Sequence, residues 1–134
     1  MLIAVAVTER TAKAPVCEHL EEARHLFIVE TDLNEVLKII DCGSEGADLQ
    51  CARATLDENC EAIICGDMDV KAFNLLADHM ITRFYGWGAT ASQAVRMMLD
   101  NRLQLIREAR NGGHCQGEEH WAELQRTIKA LENK

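Results

Sequence analysis

The stretch "RHLFIVETDLNEVLKII" (24–40) decides the fold. Two runs rich in β-branched and aromatic residues, 24–30 and 35–40, flank Thr31-Asp32-Leu33-Asn34, a natural hairpin connection. An earlier apolar run, "LIAVAV" (2–7), is bounded by polar residues and reads as a buried strand. Three strands therefore precede any helix. Beyond the hairpin the periodicity alternates. Residues 47–59 carry Leu49, Ala52 and Leu56 at helical spacing, and "AIIC" (62–65), ended by Gly66, reads as a fourth strand. Residues 69–79 put Val70, Phe73 and Leu76 on one face, and "ITRFYG" (81–86) is a weaker fifth strand. Residues 90–99 put Ala91, Ala94, Val95 and Met98 on one stripe, and "NRLQLIREAR" (101–110) reads as continuing or following that helix.

The order β-β-β-α-β-α-β-α predicts an α/β protein with a five-stranded mixed sheet and helices on both faces. Right-handed crossovers make strands one, four and five parallel, and the meander reverses strand two. This is a ribonuclease-H-like three-layer order, which by itself says nothing of activity. The single domain spans 1–110. Residues 111–134 read as a Gly/His/Cys hinge, "GGHCQGEEH" (112–120), and a C-terminal amphipathic helix striped by Trp121, Leu124, Ile128 and Leu131. That stripe reads first as ordinary intramolecular core, with a protein partner or self-association as the alternative. Glu118 and Glu119 fit the first turn of the tail helix and need no metal. His114, Cys115 and His120 chelate at best weakly, because ordering a loop opposes binding. Cys115 is retained as a ligand such an arm could lend.

The chain has 134 residues, with 14 basic against 22 acidic side chains and a net charge of −8. That balance argues against nucleic acid or an anionic membrane as a partner. The first apolar run is too short for a signal peptide or a membrane span, so a cytoplasmic location is expected. Thiols stay reduced there, and the six cysteines are then buried side chains or metal ligands before they are disulfides. The chain has no CxxC pair, which removes zinc-ribbon and thioredoxin readings. Cys51 and Cys60 are expected on opposite sides of one helix, unable to share a metal. Met68, Met80, Met97 and Met98 read as packing, and His25 and His79 as satisfied structural histidines.

Ligands of open α/β sheets favour the carboxyl ends of the parallel strands. Strands one, three and four end near Thr8, Asp41 and Cys65, and reversed strand two is entered from Cys17 to Arg24. Cys17, His19, Cys42 and Cys65 are thereby predicted to converge on one rim. Three glycine-bearing turns (42–48, 65–69 and 86–93) each lead into a helix there, with Ser44, Asp67 or Asp69, and Thr90 as caps. None matches a P-loop or dinucleotide fingerprint. Thiolates and imidazole select soft metals and clusters, so Cys17, His19 and Cys65 form the expected first shell, with Cys42 fourth. Strands 2–7 and 62–65 contain no Asp or Glu, which disfavours a metal-dependent nuclease.

"MLIAVAV", "VCEHLEEARHLFIVE", "GADLQCA" and "AIICGDMDVKAFNLLADHMITRFYGWGATASQAVRMMLDNRL" together resemble the dinitrogenase iron–molybdenum cofactor biosynthesis family, which includes NifX-like and nitrogenase accessory proteins. "GDMDVKAFNLL" is the most specific part. The resemblance implies a ribonuclease-H-like fold that binds or transfers an iron–sulfur or molybdenum-containing cluster without catalysis. It aligns the family's histidine with His19 and its alanine with Ala23, and matches Gly66, Ala72, Phe73 and Asn74. Gly66 thereby joins Cys17, His19, Cys42 and Cys65 as a cofactor-binding residue. Leu20-Glu21-Glu22 stands where Phe-Gly-Arg is usual, removing a glycine and a positive charge. The alternative is a regulatory or interaction module of the same fold that has lost its cluster.

Overall fold

A computed structural model describes residues 1–110 apart from Ala12 and Ser44. The hinge with Cys115, the tail helix and the cap expected at Ser44 lie outside the described residues. The elements are β1 (Leu2–Val7), β2 (His25–Glu30), β3 (Glu35–Asp41), α1 (Ala47–Asp57), β4 (Ala62–Cys65), α2 (Val70–Asp78), β5 (Thr82–Tyr85), α3 (Ala91–Leu99) and β6 (Gln104–Leu105). A short 3-10 turn, Leu20–Glu22, precedes β2.

They form one mixed sheet in the order β3-β2-β1-β4-β5-β6. β1 pairs antiparallel with β2 and parallel with β4, and β4 pairs parallel with β5. The described residues thus give six strands where five were expected. The sixth falls in 101–110, where the apolar spacing suggested helix. Helix α3 instead ends at Leu99, and Asn101 takes a left-handed φ of 58°. Asparagine tolerates that conformation better than most residues, and it reverses the chain. Leu105 then pairs with Phe84 and Gln104 with Tyr85.

Period-two alternation along the central strands feeds two cores. Ala4, Ala6, Leu26, Ile28, Ile63 and Cys65 pack beneath α1 and α2. Ile3, Val5, Val7, Phe27, Val29 and Ile64 pack against α3. Both faces of β1 and β4 are covered, which is why these strands are uniformly apolar. The expected α3 stripe, Ala91, Ala94, Val95 and Met98, is the buried set. Helix α1 buries Ala47, Cys51, Ala52 and Thr55, leaving Leu49 and Leu56 only partly covered. Buried Thr55 is satisfied by donating to the Cys51 carbonyl at 2.7 Å. Cys51 and Cys60 are not on opposite sides: both enter the same core layer. The helix stops at Asp57, and Asn59 (φ 57°) turns the chain back beneath it.

Thr90 caps α3 in a reciprocal capping box with Gln93. Losing this cap removes a partner from an otherwise orphaned N–H. Thr90→Ala is expected to lower unfolding free energy by about 1 kcal/mol in a urea melt. An unchanged midpoint would mean that the box contributes nothing.

Candidate functional site

The segment 14–20 ties together the carboxyl edge of the sheet. Its first half lies beside β1 and α3: the Cys17 N–H donates to the Ala6 carbonyl (3.1 Å), and the Val16 N–H to Ala89 (3.0 Å). Its second half is bonded to the turn after β4. Asp67 N–H donates to the Glu18 carbonyl at 2.9 Å, and Leu20 N–H donates to the Asp67 carbonyl at 2.8 Å. Gly66 makes this contact possible. A Cβ there would lie 1.8 Å from the Glu18 oxygen and 2.5 Å from that of Cys17, both backbone atoms. Glycine is required because two backbones touch.

This pairing brings His19 to Asp67 across 48 positions of sequence, with Nδ1 2.5 Å from Oδ1. A carboxylate only accepts, so Nδ1 carries the hydrogen and Nε2 is the nitrogen left for a ligand. Asp67 also accepts from Arg110 Nη1 at 2.7 Å, and the other end of that guanidinium pairs with Glu21. His19 Nε2 faces Glu18 at 3.9 Å. One ligand atom from each of Glu18, His19 and Glu22 falls within 4.8 Å of the others. The hydrogen bond to Asp67, reinforced by the charges of Asp67, Glu18 and Glu22, raises the His19 pKa above its ordinary 6.5. A carboxylate behind the imidazole is the arrangement that fixes tautomer and ring orientation in metal sites.

The cysteines divide differently from expectation. Cys17 and Cys65 have no exposed surface and belong to the core beneath α1 and α2. Burial pushes the Cys17 thiol up to about 12 and the Cys65 thiol well above its ordinary range. The three residues expected as a first shell, Cys17, His19 and Cys65, thus differ in depth. Apolar neighbours enclose the two sulfurs and keep them protonated, and only His19 stands at the surface. Cys42, half-buried past the end of β3, has its sulfur 2.9 Å from that of Cys51.

Other expectations resolve locally. Asp69, not Asp67, caps α2, accepting from the Val70 N–H at 2.8 Å. Phe73 is half-buried, with the Arg83 Cζ 4.6 Å above the centroid of its ring, while Asn74 is exposed. Met68 is core, whereas Met80 is 90% exposed. His25 bonds Asp41 across the β2–β3 pair at 2.8 Å, and His79 bonds the Leu75 carbonyl at 2.9 Å.

Sequence reasoning missed Asp67 as the partner of His19, and missed Glu18, Glu22, Arg110 and Cys51. Glu18 and Glu22 were visible as acids bracketing His19. Asp67 and Arg110 were not, since only the strand pairing brings them near. An open cleft of about 700 Å3, lined by Tyr85, Trp87, Arg96 and Arg102 among others, lies by the α3 N-terminus and includes none of the expected ligands.

The family model described as dinitrogenase iron-molybdenum cofactor matches residues 1–101. Among solved structures, the apo orange protein of Desulfovibrio gigas superposes with a TM-score of 0.70 at 21% identity, over 79% of this chain and 92% of that one. A Thermotoga protein named as a candidate NifB protein gives 0.66 at 16% identity, over 78% and 91%. A Methanocaldococcus jannaschii protein named as a candidate dinitrogenase gives 0.58 at 19% identity, over 80% and 95%. These likenesses concern the fold. No curated protein matches in sequence. Among the described residues no helix is long and apolar enough to cross a membrane.

Proposed function

The chain belongs to the dinitrogenase iron-molybdenum cofactor family, and from that membership we propose that it binds and hands on a sulfur-containing metal cluster as cargo, without catalysing a reaction. The observation that carries this is the His19–Asp67 pair, which holds an imidazole at the sheet edge with Nε2 open to coordinate. Glu18 and Glu22 beside it add oxygen donors. Imidazole with carboxylates suits iron better than it suits a purely soft metal, so an iron-bearing cluster is the favoured cargo over a bare thiomolybdate anion. Cluster sulfurs arrive with the cargo, because Cys17 and Cys65 are enclosed in the core. The strand order β3-β2-β1-β4-β5, with β2 reversed, supports a ribonuclease-H-like assignment, with β6 added at the edge.

Coordination requires Nε2 to be free of its proton. Because the His19 pKa is raised above its ordinary 6.5, cargo retention should increase as pH rises through that raised value. The empty fold has the opposite dependence. The stabilisation from protonated His19 is complete below the unfolded pKa and is lost as pH rises through the folded one. Retention measured after desalting at a series of pH values should show the rise in wild type and a flat profile in His19→Ala. A flat wild-type profile would exclude His19 as the ligand.

Anaerobic reconstitution with ferrous iron and sulfide, in parallel with tetrathiomolybdate, tests the function itself. Metal and sulfide should co-elute with the wild-type chain after gel filtration. One observation favours the alternative of an interaction module: the acids around His19 and the net charge of −8 repel an anionic cluster. Colourless, metal-free protein after both treatments would establish that alternative over the carrier.

A further inference from the structure

We propose that Cys42 and Cys51 form a reversible oxidation site, a dithiol that a hydroperoxide converts to a disulfide. This goes beyond the carrier function and does not depend on it. Cys42 follows the last residue of β3, and Cys51 lies in the second turn of α1. The intervening turn brings their sulfurs to 2.9 Å. Two thiolates sharing a tetrahedral metal, each about 2.3 Å from it, stand roughly 3.8 Å apart. The observed separation is shorter, on the way to a sulfur–sulfur bond of about 2.05 Å. The geometry therefore suits bond formation better than chelation.

The two sulfurs are unequal in a way that assigns their roles. Cys42 is half-exposed, and the hydrogen bond from Cys51 lowers its pKa. Cys51 has no exposed surface, and its thiol is held protonated by that same bond and by burial. Cys42 is thus the attacking thiolate and Cys51 the resolving thiol. The Cys42 sulfur attacks the O–O bond, becoming a sulfenic acid, while the alkoxide released takes up the thiol proton and leaves as an alcohol. The Cys51 sulfur then attacks the sulfenic sulfur, and the departing hydroxide leaves with the Cys51 proton as water. In sum, two thiols and one hydroperoxide give one disulfide, one alcohol and one water. The sulfurs lose two electrons, and the O–O bond accepts them. A small dithiol reverses the step by thiol–disulfide exchange.

The test treats the reduced full-length chain with one equivalent of hydrogen peroxide, followed by thiol counting in denaturant and peptide mapping. Two of the six thiols should be lost, with a mass decrease of two hydrogens and a cross-link joining the Cys42 and Cys51 peptides. Dithiothreitol should restore both thiols. Cys51→Ala should stop at a dimedone-trappable sulfenic acid on Cys42, and Cys42→Ser should retain all its remaining thiols. A full wild-type thiol count after peroxide, a cross-link between any other pair, or loss of two thiols in Cys42→Ser would overturn the proposal.

Discussion

Gly66→Ala is expected to lower the unfolding free energy by about 3 kcal/mol, near the upper end for overpacking a filled site. The new methyl would meet the Glu18 carbonyl oxygen at 1.8 Å and its carbon at 2.3 Å. Neither is the free end of a side chain, so the 17–20 segment must lift away. Lifting it breaks the two backbone hydrogen bonds that join Glu18 and Leu20 to Asp67, each worth about 1 kcal/mol net. Urea unfolding measures the stability, and cargo titration measures the accompanying loss of binding as His19 leaves Asp67. A cost below about 1 kcal/mol would mean that the two backbones are not in contact. By comparison, nothing lies within 4 Å of a Cβ built at Gly46, so bulk has no bearing there and only its left-handed φ of 65° disfavours a side chain.

Asp67→Asn is expected to weaken cargo affinity by about 10- to 100-fold while leaving the fold intact. The amide keeps the shape of the carboxylate but removes the charge that makes the imidazole a stronger donor and holds its hydrogen on Nδ1. It also frees Arg110 from one of its two acidic partners. His19→Ala should lose more, because the coordinating nitrogen itself is gone. Titration with ferrous iron and sulfide, read by the visible spectrum, ranks the variants. Asp67→Asn binding as tightly as wild type would show that the pair has no part in holding cargo.

Most of the fold was legible because it rests on local signals. "LIAVAV" and "AIIC" read as strands because they are short, apolar and bounded by turn or polar residues, and β1 and β4 occupy those residues. The spacing of Ala91, Ala94, Val95 and Met98 similarly fixed the buried face of α3. What escaped was set by single backbone conformations. Asn101 and Asn59 adopt left-handed φ values, ending α3 before β6 and returning Cys60 to the core, and asparagine in a sequence marks such a turn without requiring one.

The site was less legible, for a related reason. Topology predicts which chain segments reach the rim, and Cys17, His19, Cys42 and Cys65 do come from those segments. It does not predict how deep each side chain sits. Cys17 and Cys65 fell on inward positions, where a thiol behaves as a small apolar group. His19, two residues from Cys17, fell outward beside Asp67. The partners of His19 and Cys42 depend on pairing between distant segments and on one turn of α1, which no spacing rule reveals.

The central claim, that cargo is held through the Nε2 of His19, is tested most directly by X-ray absorption at the edge of whichever metal the reconstituted full-length chain retains. The expected result is a sulfur shell accompanied by imidazole scattering, with the imidazole contribution absent in folded His19→Ala. Identical spectra without imidazole scattering in wild type and variant, at equal metal content, would contradict it.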